Sequence, residues 1–337
     1  MPANQPSGSV TDTAQSVRWR QQKPVDFVAN TPQTIKLRRG FVYRALFLEL
    51  SGTVNITAAG TAAPTGSPDQ IMRRIKLLMN GNNTIRSYDG PSLRELNRVW
   101  FNQTPLITTV DPTAAGAQSF KSYLCLPLWS PRTIKPFTTA LDSSPLSQFE
   151  LEVDWGDISD IVGDATATFT SDPIVKVKSL ESFGAIPGGA LWRSFVLSEN
   201  VPGANSAMQV QLPVGQQYRQ FLFRTSYLDG SNRKIYSDSV INNVKLISGA
   251  TVYFDMTHDD LVGAEAMLDD ILALPAGAYS VDLVTDGYLT EAPDTFGFSE
   301  FFLEFDLQPD AGGSTTLEIF PQQIVPVRAQ SHHGSGG

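Results

Sequence analysis

Ser147-Gln148-Phe149-Glu150-Leu151-Glu152-Val153-Asp154 and Ser299-Glu300-Phe301-Phe302-Leu303-Glu304-Phe305-Asp306 decide how this chain is read. In both octets apolar side chains fall on every second position: Phe149, Leu151 and Val153 in one, Phe301, Leu303 and Phe305 in the other. Residues two apart in an extended chain share a face, so each octet is a strand with one buried and one wetted side. The octets also match each other. Two further matches occur in the same order: Gly40-Phe41-Val42-Tyr43-Arg44 with Gly215-Gln216-Gln217-Tyr218-Arg219, and Ile75-Lys76-Leu77 with Val244-Lys245-Leu246.

Helical patterns are few, and they repeat as well. Asp89-Gly90-Pro91 opens a helix predicted over 92–101, with Leu93, Leu96, Val99 and Trp100 in one stripe. A second is predicted over 259–271, with Leu261, Ala264, Leu268 and Ile271 on one side and weakened by Gly263. Each follows the Lys-containing strand of its half. Three ordered matches and two equivalent helices predict a duplicated, all-β chain. The first half is lengthened by loops expected over 57–69 and 103–119.

The expected organisation is a polar Ser/Thr/Gln-rich arm over 1–30, a barrel over 31–184, a Gly- and Pro-containing linker over 185–190, a second barrel over 191–326 and a flexible tail over 327–337. Strands predicted over 174–180 and 315–325 close the two barrels. The arm carries Arg18, Trp19, Arg20 and Lys23, a basic and aromatic segment suited to anionic headgroups or phosphates on the inner side of an assembly.

Composition narrows the function. Of 337 residues 41% are hydrophobic and 18% charged, with 26 glycines and 22 prolines, which suits packed cores joined by many turns. The net charge of −9 and the lack of a basic stripe argue against sequence-specific nucleic-acid binding by the folded body. No apolar run reaches the ~20 residues of a membrane span, and the N-terminus lacks signal architecture, so a cytoplasmic origin is expected. The lone Cys125 sits in an apolar stretch and reads as a buried thiol. Only three histidines are present. His332 and His333 lie in the tail, and His258 with Asp259 and Asp260 reads as a helix start, where acids favour the dipole. No catalytic, cofactor-binding or metal residue is therefore assigned. Asp157 with Asp160, and Asp269-Asp270, leave structural calcium as the one ion to consider, without any EF-hand spacing.

Two consecutive barrels of one plan, each with a helix after a strand–turn–strand, resemble the double jelly-roll major capsid proteins of tailless icosahedral viruses, and most nearly the corticovirus-like, internal-membrane phage type. The residues that carry the likeness are Asn80-Gly81-Asn82-Asn83-Thr84-Ile85-Arg86-Ser87-Tyr88 before Leu93-Arg94-Glu95-Leu96-Asn97, Leu212 to Arg219, Tyr279 to Leu283 ahead of Gly287, Phe149 to Asp154, and the stretch 173–184. The resemblance implies two tandem eight-stranded jelly rolls and a structural role as a homotrimeric, pseudo-hexagonal capsomer in the virion shell. Its partners would be neighbouring capsomers, penton and minor capsid or membrane proteins, and an internal lipid membrane. Two other classes stand as alternatives: a tandem jelly-roll glycan-active, amidase-like hydrolase, which needs a convergent acid cluster, and a receptor- or carbohydrate-binding spike, which needs aromatic clusters on loops.

Overall fold

The computed structural model describes residues 17–57, 67–163, 167–183, 189–230, 234–268 and 274–326. The first half contains β1 (Val17–Gln21), β2 (Val25–Asp26), β3 (Pro32–Lys36), β4 (Val42–Ile56), β5 (Met72–Met79), β6 (Asn83–Tyr88), α1 (Gly90–Phe101), β7 (Ile107–Thr108), β8 (Gly116–Pro127), β9 (Leu141–Asp142), β10 (Phe149–Trp155) and β11 (Thr168–Ser182). Sheet A has the order β1-β11-β4-β8-β7, with β2 also on β11 and β9 on β4; sheet B is β3-β10-β5-β6.

The second half repeats the plan with β12 (Ala190–Ser194), β13 (Leu197–Val201), β14 (Asn205–Gln211), β15 (Gln217–Leu228), β16 (Lys234–Tyr236), β17 (Ile241–Ser248), β18 (Thr251–Thr257), α2 (His258–Leu268), β19 (Ala278–Asp282), β20 (Phe302–Leu307) and β21 (Ser314–Pro326). Sheet C is β12-β21-β15-β16, with β13 on β21 and β19 on β15; sheet D is β14-β20-β17-β18. With β1 and β2, and β12 and β13, each taken as one interrupted strand, and with the short β7, β9 and β16 set aside, each half has eight strands in two antiparallel four-stranded layers. Apart from the hairpins β5–β6 and β17–β18 and the short β7 and β16, neighbours in a sheet are distant in sequence, which is the jelly-roll connection. The expected all-β double jelly roll, with one short helix in each barrel, is the architecture observed.

The three sequence matches meet one another in space. Tyr43 donates its hydroxyl to the Arg38 carbonyl at 2.6 Å, and Tyr218 to the Pro213 carbonyl at 2.5 Å. The tyrosine rings contact the repeat phenylalanines, Tyr43 on Phe149 at 4.9 Å and Tyr218 on Phe301 at 5.1 Å. The amides of Leu37 and Leu212 donate to the carbonyls of Phe149 and Phe301, each at 2.8 Å. Lys76 lies opposite Glu152, and Lys245 opposite Glu304. Gly40 and Gly215 turn the chain into these strands with φ of 89° and 81°, a region glycine enters without a Cβ clash.

The helices start where side chains can satisfy their free amides. Asp89 accepts from the Ser92 amide at 2.7 Å, and α1 ends at Asn102 in a left-handed conformation, with Leu93, Leu96, Val99 and Trp100 all buried. Thr257 and Asp260 cap α2 reciprocally, amide to side chain in both directions. The predicted end of α2 at Ile271 and the pair Asp269-Asp270 lie outside the described residues, as do the tail 327–337 and linker residues 185–188.

Two expectations change. The loop expected over 103–119 gives up its last residues to β8, which begins at Gly116. The arm expected over 1–30 gives up more. Residues 1–16 are outside the described residues, but β1 and β2 form the first strand of barrel 1, paired along β11 from Val17↔Ser182 to Gln21↔Lys178. Polar composition hid this strand because its polar side chains have a partner far along the chain. Glu181 is fully buried and accepts from Arg20 at 3.0 Å and from buried Gln22 at 3.3 Å.

Tyr43→Phe and Tyr218→Phe should each lower unfolding free energy by about 1 kcal/mol, since each leaves a carbonyl without its donor. Urea denaturation of the two variants should give similar losses if the tyrosines are equivalent.

Candidate assembly surfaces

A strand alternates its side chains, so each sheet has a second face. In sheet C, Tyr218, Phe221, Phe223, Leu317 and Ile319 fill the core of barrel 2, while Trp192, Leu222, Phe320 and Ile324 point away and join the core of barrel 1. β6 and α1 of barrel 1 seat on this outer face. The Tyr88 ring stacks on Phe320 at 6.3 Å, and its hydroxyl donates to Gln322 Oε1 at 2.8 Å. Trp100 meets Trp192 edge-on at 5.0 Å and donates Nε1–H to Gln220 Oε1 at 2.8 Å. The Gln220 amide in turn donates to Ser280 Oγ at 2.9 Å. Arg219 crosses in the other direction, donating to the Pro131 carbonyl at 2.6 Å and to the Ser130 hydroxyl.

Charge is also enclosed in this seam. The Arg86 guanidinium lies over Trp192, 4.4 Å from the ring centroid. Burial, reinforced by Arg219 nearby, pushes Arg86 down to about 10. At the rim Lys234 spans the barrels, 2.6 Å from Glu318 and 3.7 Å from Asp89. Apolar packing and hydrogen-bonded amides join the two barrels, and Trp192, Leu222, Phe320 and Ile324 are continuous with the core of barrel 1.

Sheet A offers the equivalent outer face, and within the chain no second barrel covers it. The register makes the comparison direct: Phe47 pairs with Lys178 and Cys125 where Leu222 pairs with Phe320 and Ser280. A groove of about 710 Å³ opens there, lined by Trp19, Phe47, Leu106, Tyr123, Lys176 and Lys178. Trp19 is 58% exposed and leans on Phe47 at 4.6 Å.

The four arm residues singled out in the sequence separate. Arg18 and Arg20 turn back to buried Glu181, at 3.7 and 3.0 Å, and lie over the Phe183 and Phe41 rings at 4.2 and 4.7 Å. Their charges brace the strand. Trp19 lines the groove, and Lys23 is exposed between β1 and β2. Lys176 and Lys178 share one face of the strand as their spacing implies, but Phe47 and Tyr123 escaped sequence reasoning as surface residues. Their signal was an aromatic on the wet side of an alternating strand, which becomes informative once the faces are known.

The polar groups considered for chemistry are engaged in structure. His258 Nδ1 lies 3.3 Å from Asp259, and its ring meets Tyr279 edge-on at 5.6 Å, while Asp260 caps α2. Arg73 lies 2.9 Å from Asp160, so that acid already faces a cation, and Asp157 caps a turn and accepts from Asn30. Among the described residues no three His, Cys, Asp or Glu side chains are placed to hold a metal, and no helix is long and apolar enough to cross a membrane. Cys125 is buried, which pushes its thiol far above the usual range, and Asn97 bonds both its amide and its carbonyl at 2.6 Å.

No protein-family model matches the chain, and no curated protein sequence matches it. Solved structures do. The major capsid protein of Sulfolobus turreted icosahedral virus superposes with a TM-score of 0.72 at 14% identity, covering 94% of this chain and 99% of that one. The major capsid protein P2 of bacteriophage PM2 gives 0.65 at 11% identity, over 94% of this chain and 99% of that one. The PBCV-1 virus capsid protein gives 0.61 at 11% identity, over 92% and 93%. Likeness over nearly whole chains at such identities defines the fold, and the chain has the double jelly roll of these major capsid proteins. The resemblance read from the sequence holds at that level.

Trp100→Ala should cost about 3–5 kcal/mol, because it empties the middle of the seam and leaves Gln220 without its donor. Calorimetry should then resolve two transitions where the parent shows one. Cys125 should stay unlabelled by iodoacetamide in the native protein and react after denaturation.

Proposed function

We propose that this chain is a structural major capsid protein, not an enzyme, which self-associates as a homotrimer into pseudo-hexagonal capsomers of an icosahedral virion shell. The observation that carries the reading is the pairing of a filled seam with its unfilled counterpart. Barrel 1 seats α1 and β6 on the outer face of sheet C. The duplication places α2 and β18 on barrel 2 in the corresponding position, and sheet A offers the corresponding face. Seating barrel 2 of one copy on sheet A of the next repeats the internal contact between chains. Such a head-to-tail contact closes into a ring, and three chains then supply six barrels. Charge agrees: the groove presents Lys176 and Lys178, while β18 and the first turn of α2 carry Asp255, Asp259 and Asp260.

On this reading barrel 1 ends near 184, residues 185–190 link the barrels, and barrel 2 runs to 326. The N-terminal arm is assigned to the inner side of the shell. Neighbouring capsomers, penton and minor capsid or membrane proteins are the partners, the protein is made in the host cytoplasm, and it resides in the virion. The low likeness to known capsid proteins supports the architecture, and the groove supports self-association.

Native mass spectrometry of the full chain should show a trimer. Phe47→Asp with Lys178→Glu should yield folded monomers, their circular dichroism unchanged, since both side chains lie on the outer face of sheet A. A parent protein that stays monomeric at all concentrations would remove the capsomer reading.

A further inference from the structure

Most cations in the seam between the barrels are matched with acids. Arg219 lies 3.4 Å from Asp282, and Lys234 lies 2.6 Å from Glu318 and 3.7 Å from Asp89. Against the cost of burial, Lys234 and then Arg224 hold the Asp89 carboxyl below the usual carboxylate range. Arg86 is different. It stands in β6, only 1% exposed, and forms no ion pair among the described residues. Its Nη1 donates to the adjacent Ile85 carbonyl at 3.4 Å, while Nε and Nη2 are buried without an acceptor.

The surroundings do not supply what is missing. Burial, and then the charge of Arg219, act against the Arg86 cation, and the Tyr88 hydroxyl that favours it already donates its proton to Gln322. The Trp192 ring lies under both guanidiniums, its centroid 4.4 Å from that of Arg86 and 5.3 Å from that of Arg219. A ring face offsets part of the charge. Indole offers no lone pair to the N–H groups, however, and Trp192 Nε1 is itself buried without an acceptor. An unmade hydrogen bond in such a place is costly, and an uncompensated charge more so.

The two unpartnered nitrogens belong together. Nε–H and Nη2–H run parallel along one edge of the guanidinium, the fork that grips an anion by two bonds. We infer that the seam binds one small anion, chloride or an ion of its size, on the Nε–Nη2 edge of Arg86, with Arg219 adding attraction from beside Trp192. Tyr88, Trp100, Trp192 and Phe320 are at most 2% exposed, so close packing admits a monatomic ion and excludes a bulky one. The ion ties β6 of barrel 1 to β12 and β15 of barrel 2. The chain carries a net charge of −9, so general attraction of anions to its surface does not account for such binding. The site lies within one chain, and its affinity is independent of how copies assemble.

The test is thermal unfolding of the full chain at fixed pH and ionic strength, with chloride replacing gluconate step by step. Gluconate is too large for the site, so the midpoint should rise by about 2 °C or more and then saturate. Arg86→Met keeps much of the length without the charge. It should fold, because an apolar side chain replaces an unpaired buried cation at little cost, and its midpoint should be the same in both salts. Crystals of the parent grown in bromide should show an anomalous peak at hydrogen-bond distance from Arg86 Nε and Nη2. No rise in the parent, an equal rise in Arg86→Met, or an ordered water at that edge in place of bromide would overturn the inference. Should Arg86→Met fail to fold, the bromide peak decides alone.

Discussion

A β-sheet has two faces, and a jelly roll can bury only one of them inside its own barrel. Everything else in this molecule follows from how the second face is treated. Sheet C gives its outer face to Trp192, Leu222, Phe320 and Ile324 and receives a neighbouring barrel upon them. Sheet A keeps Phe47 and Trp19 beside Lys176 and Lys178, a face that is apolar enough to be covered and charged enough to stay in water until it is. Within the chain one outer face is covered by the other barrel and the other is left open as a groove.

The duplication makes that comparison quantitative at single positions. What the halves share is internal: the tyrosine locks, the phenylalanines they touch, and the Lys–Glu cross-strand pairs. What they do not share points outward. Arg224 faces Glu318 across β15 and β21, whereas Glu49 faces Lys176 across β4 and β11, the same pairing with its signs exchanged. Side chains that set the barrel keep one geometry in both halves, and the outward-facing pair differs in sign. Reversed charge on otherwise equivalent faces also discourages wrong pairings, since like charges would then meet.

Buried ionisable groups are frequent here, and they cluster where segments distant in sequence meet. Glu181 joins β1 to β11 through Arg18 and Arg20, Arg94 holds Asp69 and Glu95 together under α1, and Lys234 ties Asp89 to Glu318 across the seam. Breaking one partner of such a set leaves a charge without compensation in a place water does not reach. This accounts for their position at junctions, where a misplaced segment would be penalised most.

Much of the fold was legible in the sequence because it rests on local periodicity. Alternation in Phe149–Asp154 and Phe301–Asp306 gave strands, the stripe from Leu93 to Trp100 gave α1, and three matches in order gave two barrels. Periodicity reports that a residue has neighbours on one side, but not which neighbours. Trp100 read as a core residue of barrel 1, and only the tertiary structure shows that it also packs on Trp192 and bonds Gln220 of barrel 2. Val17–Gln21 read as a polar arm, and only Glu181, brought alongside by β11, turns those polar residues into a strand. Sequence by itself determined the strands with clear alternation, the first helix and the duplication. Tertiary structure alone decided which sheet faces are filled, because facing requires two segments at once and a linear pattern contains only one of them.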